Sequence, residues 1–213
     1  GEQNQILKRT MYEPSIHEPL IITGPDVQPG QRIDTPVSLV DIYPTLMDMA
    51  GVQYGDYAGH PLYPDELDGE SLMDPLQGKT ARHRDWAFAE YHGDRNCTGS
   101  FMLRKGCWKY LKHVGYDPQL FNVESDPWET NDVATDHPYI CDELEELLTG
   151  HFSCEEIDAD AKRYDRENFL QWRSSLADED SYRSTMAHVY SGFDRQCIEE
   201  IAPWTDEDEK KIT

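Results

Sequence analysis

The chain has 213 residues, enough to bury a real hydrophobic core in one large domain or one and a half small ones. Its 42 Asp and Glu against 19 Lys and Arg leave a net charge of −23, which argues against nucleic acid and anionic membrane as partners by Coulomb repulsion. No apolar run approaches the roughly 20 residues of a membrane helix, and no leader opens the chain at Gly1, so the first residue reads as a cut.

In chain order, Pro19 to Thr23 is a short apolar run closed by Gly24-Pro25 and reads as a buried strand at a sheet edge. Val37 to Ala50 has the apolar density of a helix ended by Gly51. Pro44 places the start near Asp41, since proline is tolerated in a first turn, and Asp41 is the expected cap. Residues 52–85, rich in Gly, Pro, Asp and Tyr, read as a long connection. Trp86 to Tyr91, Phe101 to Leu111 folded at Lys105-Gly106, and Leu120 to Val123 predict an antiparallel meander of about four strands. Asp136 and Pro138 open a helix with Ile140, Leu144, Leu147 and Leu148 on one face, covering that sheet and closed by Gly150. An amphipathic helix follows over Ile157 to Leu176, carrying Ala161, Tyr164, Phe169 and Trp172, and from Asp178 an acidic tail is expected to be partly extended.

Charge is unevenly spread. Residues 79–113 hold eight bases (Lys79, Arg82, Arg84, Arg95, Arg104, Lys105, Lys109, Lys112) and three acids (Asp85, Glu90, Asp94). Two readings stand: an acidic, salt-tolerant surface of no further meaning, or a positive island kept for an anionic ligand. Five cysteines show no C-x-x-C spacing and no zinc-like pairing with the eight histidines, so no structural metal is expected and at least one thiol is free or paired outside the chain.

The order of several short motifs is more specific. Lys8, Thr10, Tyr12-Glu13, Ser15 and Pro19-Leu20 resemble the lysine-containing segment of sulfatases. Val37 to Leu46, Leu67 to Leu72, Ala89-Glu90-Tyr91-His92-Gly93, Met102-Leu103-Arg104, Trp108-Lys109-Tyr110 and Gln119 to Glu129 then follow in that family's order over roughly residues 1–134. The resemblance implies an α/β fold, the C-terminal portion of an alkaline-phosphatase-like sulfatase fold with a small antiparallel β-sheet subdomain packed by helices. It implies residues 1–51 as the end of the catalytic α/β domain, 52–85 as a connection, 86–177 as the sheet and helix subdomain and 178–213 as an acidic extension. The Met11-Tyr12-Glu13, Glu90 to Gly93 and Pro118 to Phe121 segments resemble the branch acting on 2-O-sulfated uronate, so sulfated glycan is the implied substrate.

The family's formylglycine comes from Cys or Ser with Pro or Ala two residues on and Arg four on, and no Cys or Ser here has that context. Formylglycine and calcium are therefore expected in an upstream part of the same enzyme that this chain lacks, with that part as its partner and no metal held by this chain. The resemblance makes Lys8 the catalytic cation, because an ammonium is a compact donor for charge growing on a bridging oxygen; the alternative is a solvated lysine at a strand edge. His92, at the end of a strand, is a candidate substrate-binding imidazole or a structural one. Arg95, on the next loop, has a planar fork suited to a uronate carboxylate or is simply solvated. His17 is assigned a packing role. Two other readings keep the same residues: a non-catalytic module binding anionic sugar through the island, and a phosphodiester or phosphonate hydrolase of the same superfamily.

Overall fold

The computed structural model describes residues 9–52, 67–79, 83–93 and 98–189. The chain divides into two compact units, Gly1–Ala159 and Asp160–Thr213.

The first unit is organised by a four-stranded antiparallel meander: β1 (Trp86–Tyr91), β2 (Ser100–Lys105), β3 (Trp108–His113) and β4 (Gln119–Asn122), in that spatial order. The tight β2–β3 turn pairs Lys105 with Trp108, and Gly106 meets its left-handed backbone, φ 55°, at no steric cost. Both sheet faces are covered, which is why Phe101, Met102 and Leu103 are all buried instead of alternating. On one face Phe101, Leu103, Tyr110 and Leu120 pack on Cys141, Leu144 and Leu148 of a helix at Pro138–His151, which is α4 below. On the other, Met102, Leu111 and Phe121 close over Met11. Side chains alternate along a strand, so Lys109, two residues before Leu111, falls on that second buried face.

Three short or medium helices precede the sheet: α1 (Glu13–Ile16), α2 (Ile42–Met49) and α3 (Met73–Leu76). Pro44 lies in the first turn of α2 and Gly51 (φ 67°) lies past its end, as expected. Asp41, however, does not cap α2 with its side chain. It ends a 3-10 turn, Leu39–Asp41, and its carboxylate turns back to accept the N–H of Ser38 at 2.8 Å. Residues 19–23 form no strand, and Ile21 is 86% exposed. An isolated extended segment has no ladder to join, and none of the four strands pairs with it, so its apolar composition alone does not make it one.

Helix α4 runs through Gly150 to His151 instead of stopping at the glycine. It ends where Phe152 turns extended and stacks on Phe88 with centroids 4.1 Å apart, so burial of an aromatic ring sets the end. Helix α5 (Cys154–Ser174) begins in this unit with Cys154 and Asp158 buried. In the second unit, Phe169, Trp172 and Tyr182 cluster at centroid distances of 5.8 to 6.4 Å, and Arg173 lies 5.0 Å over the Tyr182 ring. Tyr182 belongs to α6 (Glu179–Val189), a helix where an extended tail was expected. Asp178 opens it by accepting the Ser181 N–H at 2.8 Å, and the ring of Tyr182 gives the helix a face to bury.

Candidate functional site

Of the three site residues expected from the sequence, Lys8 and Arg95 lie outside the described residues, so only His92 has a described position. Its ring, just past β1, stands edge-on to Phe101 with centroids 5.2 Å apart. The backbone of Gly99 closes the other side: a Cβ there would lie 2.8 Å from His92 Cε1 and 3.0 Å from Phe101 Cε2. His92 Nε2 stops 3.6 Å from the Glu90 carboxylate, and both ring nitrogens are buried with no hydrogen bond among the described residues. The imidazole is thus held by packing against Phe101 and Gly99. The far end of the same loop is anchored where the Gly99 N–H donates to Asp158 Oδ1 at 2.6 Å and the Thr98 hydroxyl to the Val114 carbonyl at 2.8 Å.

The segment that follows Lys8 is tied to the sheet at three consecutive residues. Met11 is buried against Met102, Leu111 and Phe121. The Tyr12 hydroxyl donates to Gln119 Oε1 at 3.0 Å, and its ring meets Phe121 edge-on. Glu13 begins α1 and is held twice: its N–H donates to Glu129 Oε2 at 2.6 Å, and its carboxylate takes the Lys109 ammonium at 2.9 Å. Lys109 also pairs with Glu129 at 2.6 Å, and neither of these two side chains is exposed. Burial pulls the Glu13 carboxyl upward, but Lys109, with His17 and Arg104 adding to it, outweighs this and holds it below the ordinary range. Burial dominates at Glu129 and pushes its carboxyl above that range despite Lys109 and the Glu13 N–H. His17 is largely exposed, with Nδ1 2.7 Å from a Glu13 carboxylate oxygen, so it does not take the packing role expected.

Four of the eight bases of the positive island are paired with carboxylates of the chain itself. Arg84 pairs with Asp41 at 2.7 Å, Lys105 with Glu143 at 3.5 Å, Lys109 as above, and Lys112 with Glu145 and with Glu155 at 3.1 Å. Arg104 donates to the carbonyls of Gly106 and Trp108. A groove of about 650 Å³ beside Trp108 and Tyr139 is lined by Asp34, Asp85, Glu124 and Glu143 against the one cation Lys105, a balance that repels sulfate. Among the described residues, no group of three His, Cys, Asp or Glu is arranged to hold a metal ion. None of this favours a free-standing module that captures anionic sugar through the island.

The family model described as N-sulphoglucosamine sulphohydrolase, C-terminal, matches residues 1–152. The chain belongs to this sulfatase family. Its sequence is 39% identical over 193 residues to arylsulfatase K of Danio rerio, covering 88% of this chain and 35% of that protein. Arylsulfatase K of Homo sapiens is 34% identical over 199 residues, with 88% of this chain and 35% of that protein covered. The solved structure of BT1596, a 2-O GAG sulfatase, superposes with a TM-score of 0.51 and 25% identity over 60% of this chain and 28% of that one. The chain thus spans about a third of the length of these curated relatives and is the C-terminal portion of an alkaline-phosphatase-like sulfatase fold.

Within this sulfatase domain, the residues that the sequence did not single out are the buried charges. Lys109 and Glu129 stand in recognisable motifs, but nothing in a Trp-Lys-Tyr or Asp-Pro-Trp-Glu string marks either as buried. A usable signal exists only in combination: three successive apolar residues in β2 imply two covered faces, and a lysine on the neighbouring strand then needs a carboxylate from elsewhere.

Proposed function

We propose that this chain is the C-terminal portion of a sulfuric ester hydrolase acting on a sulfated sugar, a uronate 2-O-sulfate or its like. Lys8 serves as the cation on the leaving oxygen, and His92 and Arg95 contact the sugar. The observation that carries the reading is the similarity over 88% of the chain to proteins named arylsulfatase K, supported by the likeness to a 2-O GAG sulfatase.

The described residues do not suit the family's calcium or formylglycine. The Glu13–Glu129 carboxylate pair already holds the Lys109 ammonium, and no cysteine has the formylglycine context. Both groups are therefore assigned to the part of the enzyme outside this chain, which is its first partner. Lys8 has one task in this reading: to place a compact donor where negative charge appears as the ester bond breaks. The chain alone accordingly turns over no sulfate ester, because one donor without a placed substrate gives little rate.

The test is Lys8→Ala in the full-length enzyme, assayed on a 2-O-sulfated uronate oligosaccharide. Loss of one preorganised donor should lower kcat on the order of 10² to 10³, with KM moving less and Lys8→Arg giving no rescue. Near-normal kcat for Lys8→Ala refutes the role of Lys8. Faster turnover of a phosphonate or phosphodiester than of the sulfate ester refutes the reaction class.

A further inference from the structure

We propose that the outward face of α2 is a docking surface for the upstream part of the same enzyme, which covers it with an apolar face of its own; the proposal rests on the reading that such a part completes the enzyme. What points to it is an inverted distribution of side chains over residues 39–49. A helix on a domain surface ordinarily turns its apolar stripe inward and its polar residues to water. Here Asp41, Pro44 and Thr45 are buried, while Leu39, Val40, Tyr43, Leu46 and Met49 are exposed.

Spacings of three and four residues, from 39 to 43, 46 and 49 and from 40 to 43, put these five side chains in one continuous stripe. Leu39 keeps 74% of its surface and Leu46 57%, and the stripe exposes on the order of a few hundred Å² of apolar side chain, the size at which such a patch marks an interaction surface. None of the five joins either apolar cluster on the sheet. The helix is also held in this orientation. Asp41 accepts the Ser38 and Glu70 N–H groups and Arg84 Nη2, and the Thr45 hydroxyl accepts the Leu72 N–H, so rolling α2 to hide the stripe would break all four bonds.

Two observations select the occupant. The match covers 35% of each curated relative, so about two thirds of such a protein lies outside it, and a part of that size shares a broad interface with the third that completes its fold. A second copy of this chain is disfavoured, because each copy carries a net charge of −23 and the two repel. No member of the stripe is charged, so the surface that seats on it is apolar and neutral.

The experiment uses the full-length enzyme and needs no turnover. Leucine is replaced during expression by its diazirine analogue, and light then joins each leucine to whatever it touches; on unmodified enzyme, hydroxyl radicals read the solvent access of Met49. Leu39 and Leu46 should crosslink to peptides upstream of Gly1 at every protein concentration. Met49 should be oxidised about tenfold more slowly in native enzyme than in enzyme unfolded in urea. Oxidation of Met49 at the unfolded rate overturns the proposal, as do crosslinks to other residues of this chain or crosslinks between copies that fade on dilution. A full-length protein that hydrolyses no sulfate ester would instead remove the reading on which the proposal rests and leave these crosslinks as they are, so the two failures are distinct.

Discussion

Asp41 is the residue whose loss should most disturb the first unit outside the sheet. Its carboxylate is fully buried and accepts the Ser38 N–H at 2.8 Å, the Glu70 N–H at 2.9 Å, Arg84 Nη2 at 2.7 Å and a contact from His83 Nε2 at 3.2 Å. It thereby ties the connection around residues 67–85 to the start of α2. A second strand of the same knot runs from the Leu72 N–H to the Thr45 hydroxyl and from that hydroxyl to the Asp41 carbonyl, at 2.9 and 2.6 Å. Asp41→Ala leaves two backbone donors and a guanidinium without their acceptor. Each orphaned buried donor costs roughly 1–3 kcal/mol and a broken buried ion pair about 3–5 kcal/mol. These penalties overlap, since one carboxylate carries them all, and Arg84 keeps 12% exposure and some access to water. A net loss of about 4 kcal/mol follows, with about half of that for Asp41→Asn, which keeps one acceptor oxygen. Urea unfolding at neutral pH reads the loss, and amide exchange at Glu70 and Leu72 locates it. A loss under about 1 kcal/mol for Asp41→Ala, with exchange at Glu70 unchanged, refutes the account.

Burial lowers the pKa of His113, whose Nδ1 lies 2.9 Å from the Ser100 hydroxyl. The unfolded chain therefore takes up the proton first, so this histidine's contribution is complete above the ordinary imidazole range and is lost as pH falls from there through the folded value. The urea midpoint should drop between about pH 7.5 and 5.5, and His113→Gln should flatten that slope; an equal slope in the variant contradicts the assignment. Gly99→Ala would set a Cβ 2.8 Å from His92 Cε1, 2.9 Å from Nδ1 and 3.0 Å from Phe101 Cε2. The expected cost is about 1–3 kcal/mol together with a shifted His92 ring resonance, and a variant with neither change shows that Gly99 does not hold that ring.

The parts of the fold that were legible in the sequence are those whose cause is local. Gly106 after Lys105 marks the hairpin because a left-handed turn position needs it, and Ile140, Leu144, Leu147 and Leu148 mark α4 because helical spacing puts them on one face, although the buried set proves to be Cys141, Leu144 and Leu148. What misled was composition without a neighbour. Residues 19–23 look like a strand, but pairing is a property of two segments, and no described strand lies alongside. The same limit hid the end of α4: Gly150 is a plausible stop, but the ring of Phe88, more than sixty residues earlier, decides where Phe152 turns away. The candidate site was legible as motif order and not as physics.

Lys109 is the sharpest instance. As a sequence element it counts toward a positive island, which suggests attraction to an anion from outside. In the fold it is fully buried, and its counter-charges are Glu13, 96 residues earlier, and Glu129. Four of the island's eight bases, Lys109, Lys112, Lys105 and Arg84, are paired with the chain's own carboxylates, so this half of its positive charge reports ion pairs that hold the first unit together. A base-rich stretch inside an acidic chain has two electrostatic solutions, an external anion or the chain's own carboxylates. The second is available at high local concentration whenever the chain carries 39 acids elsewhere. Only burial distinguishes the two, since a lysine awaiting a ligand must remain reachable and Lys109 is not.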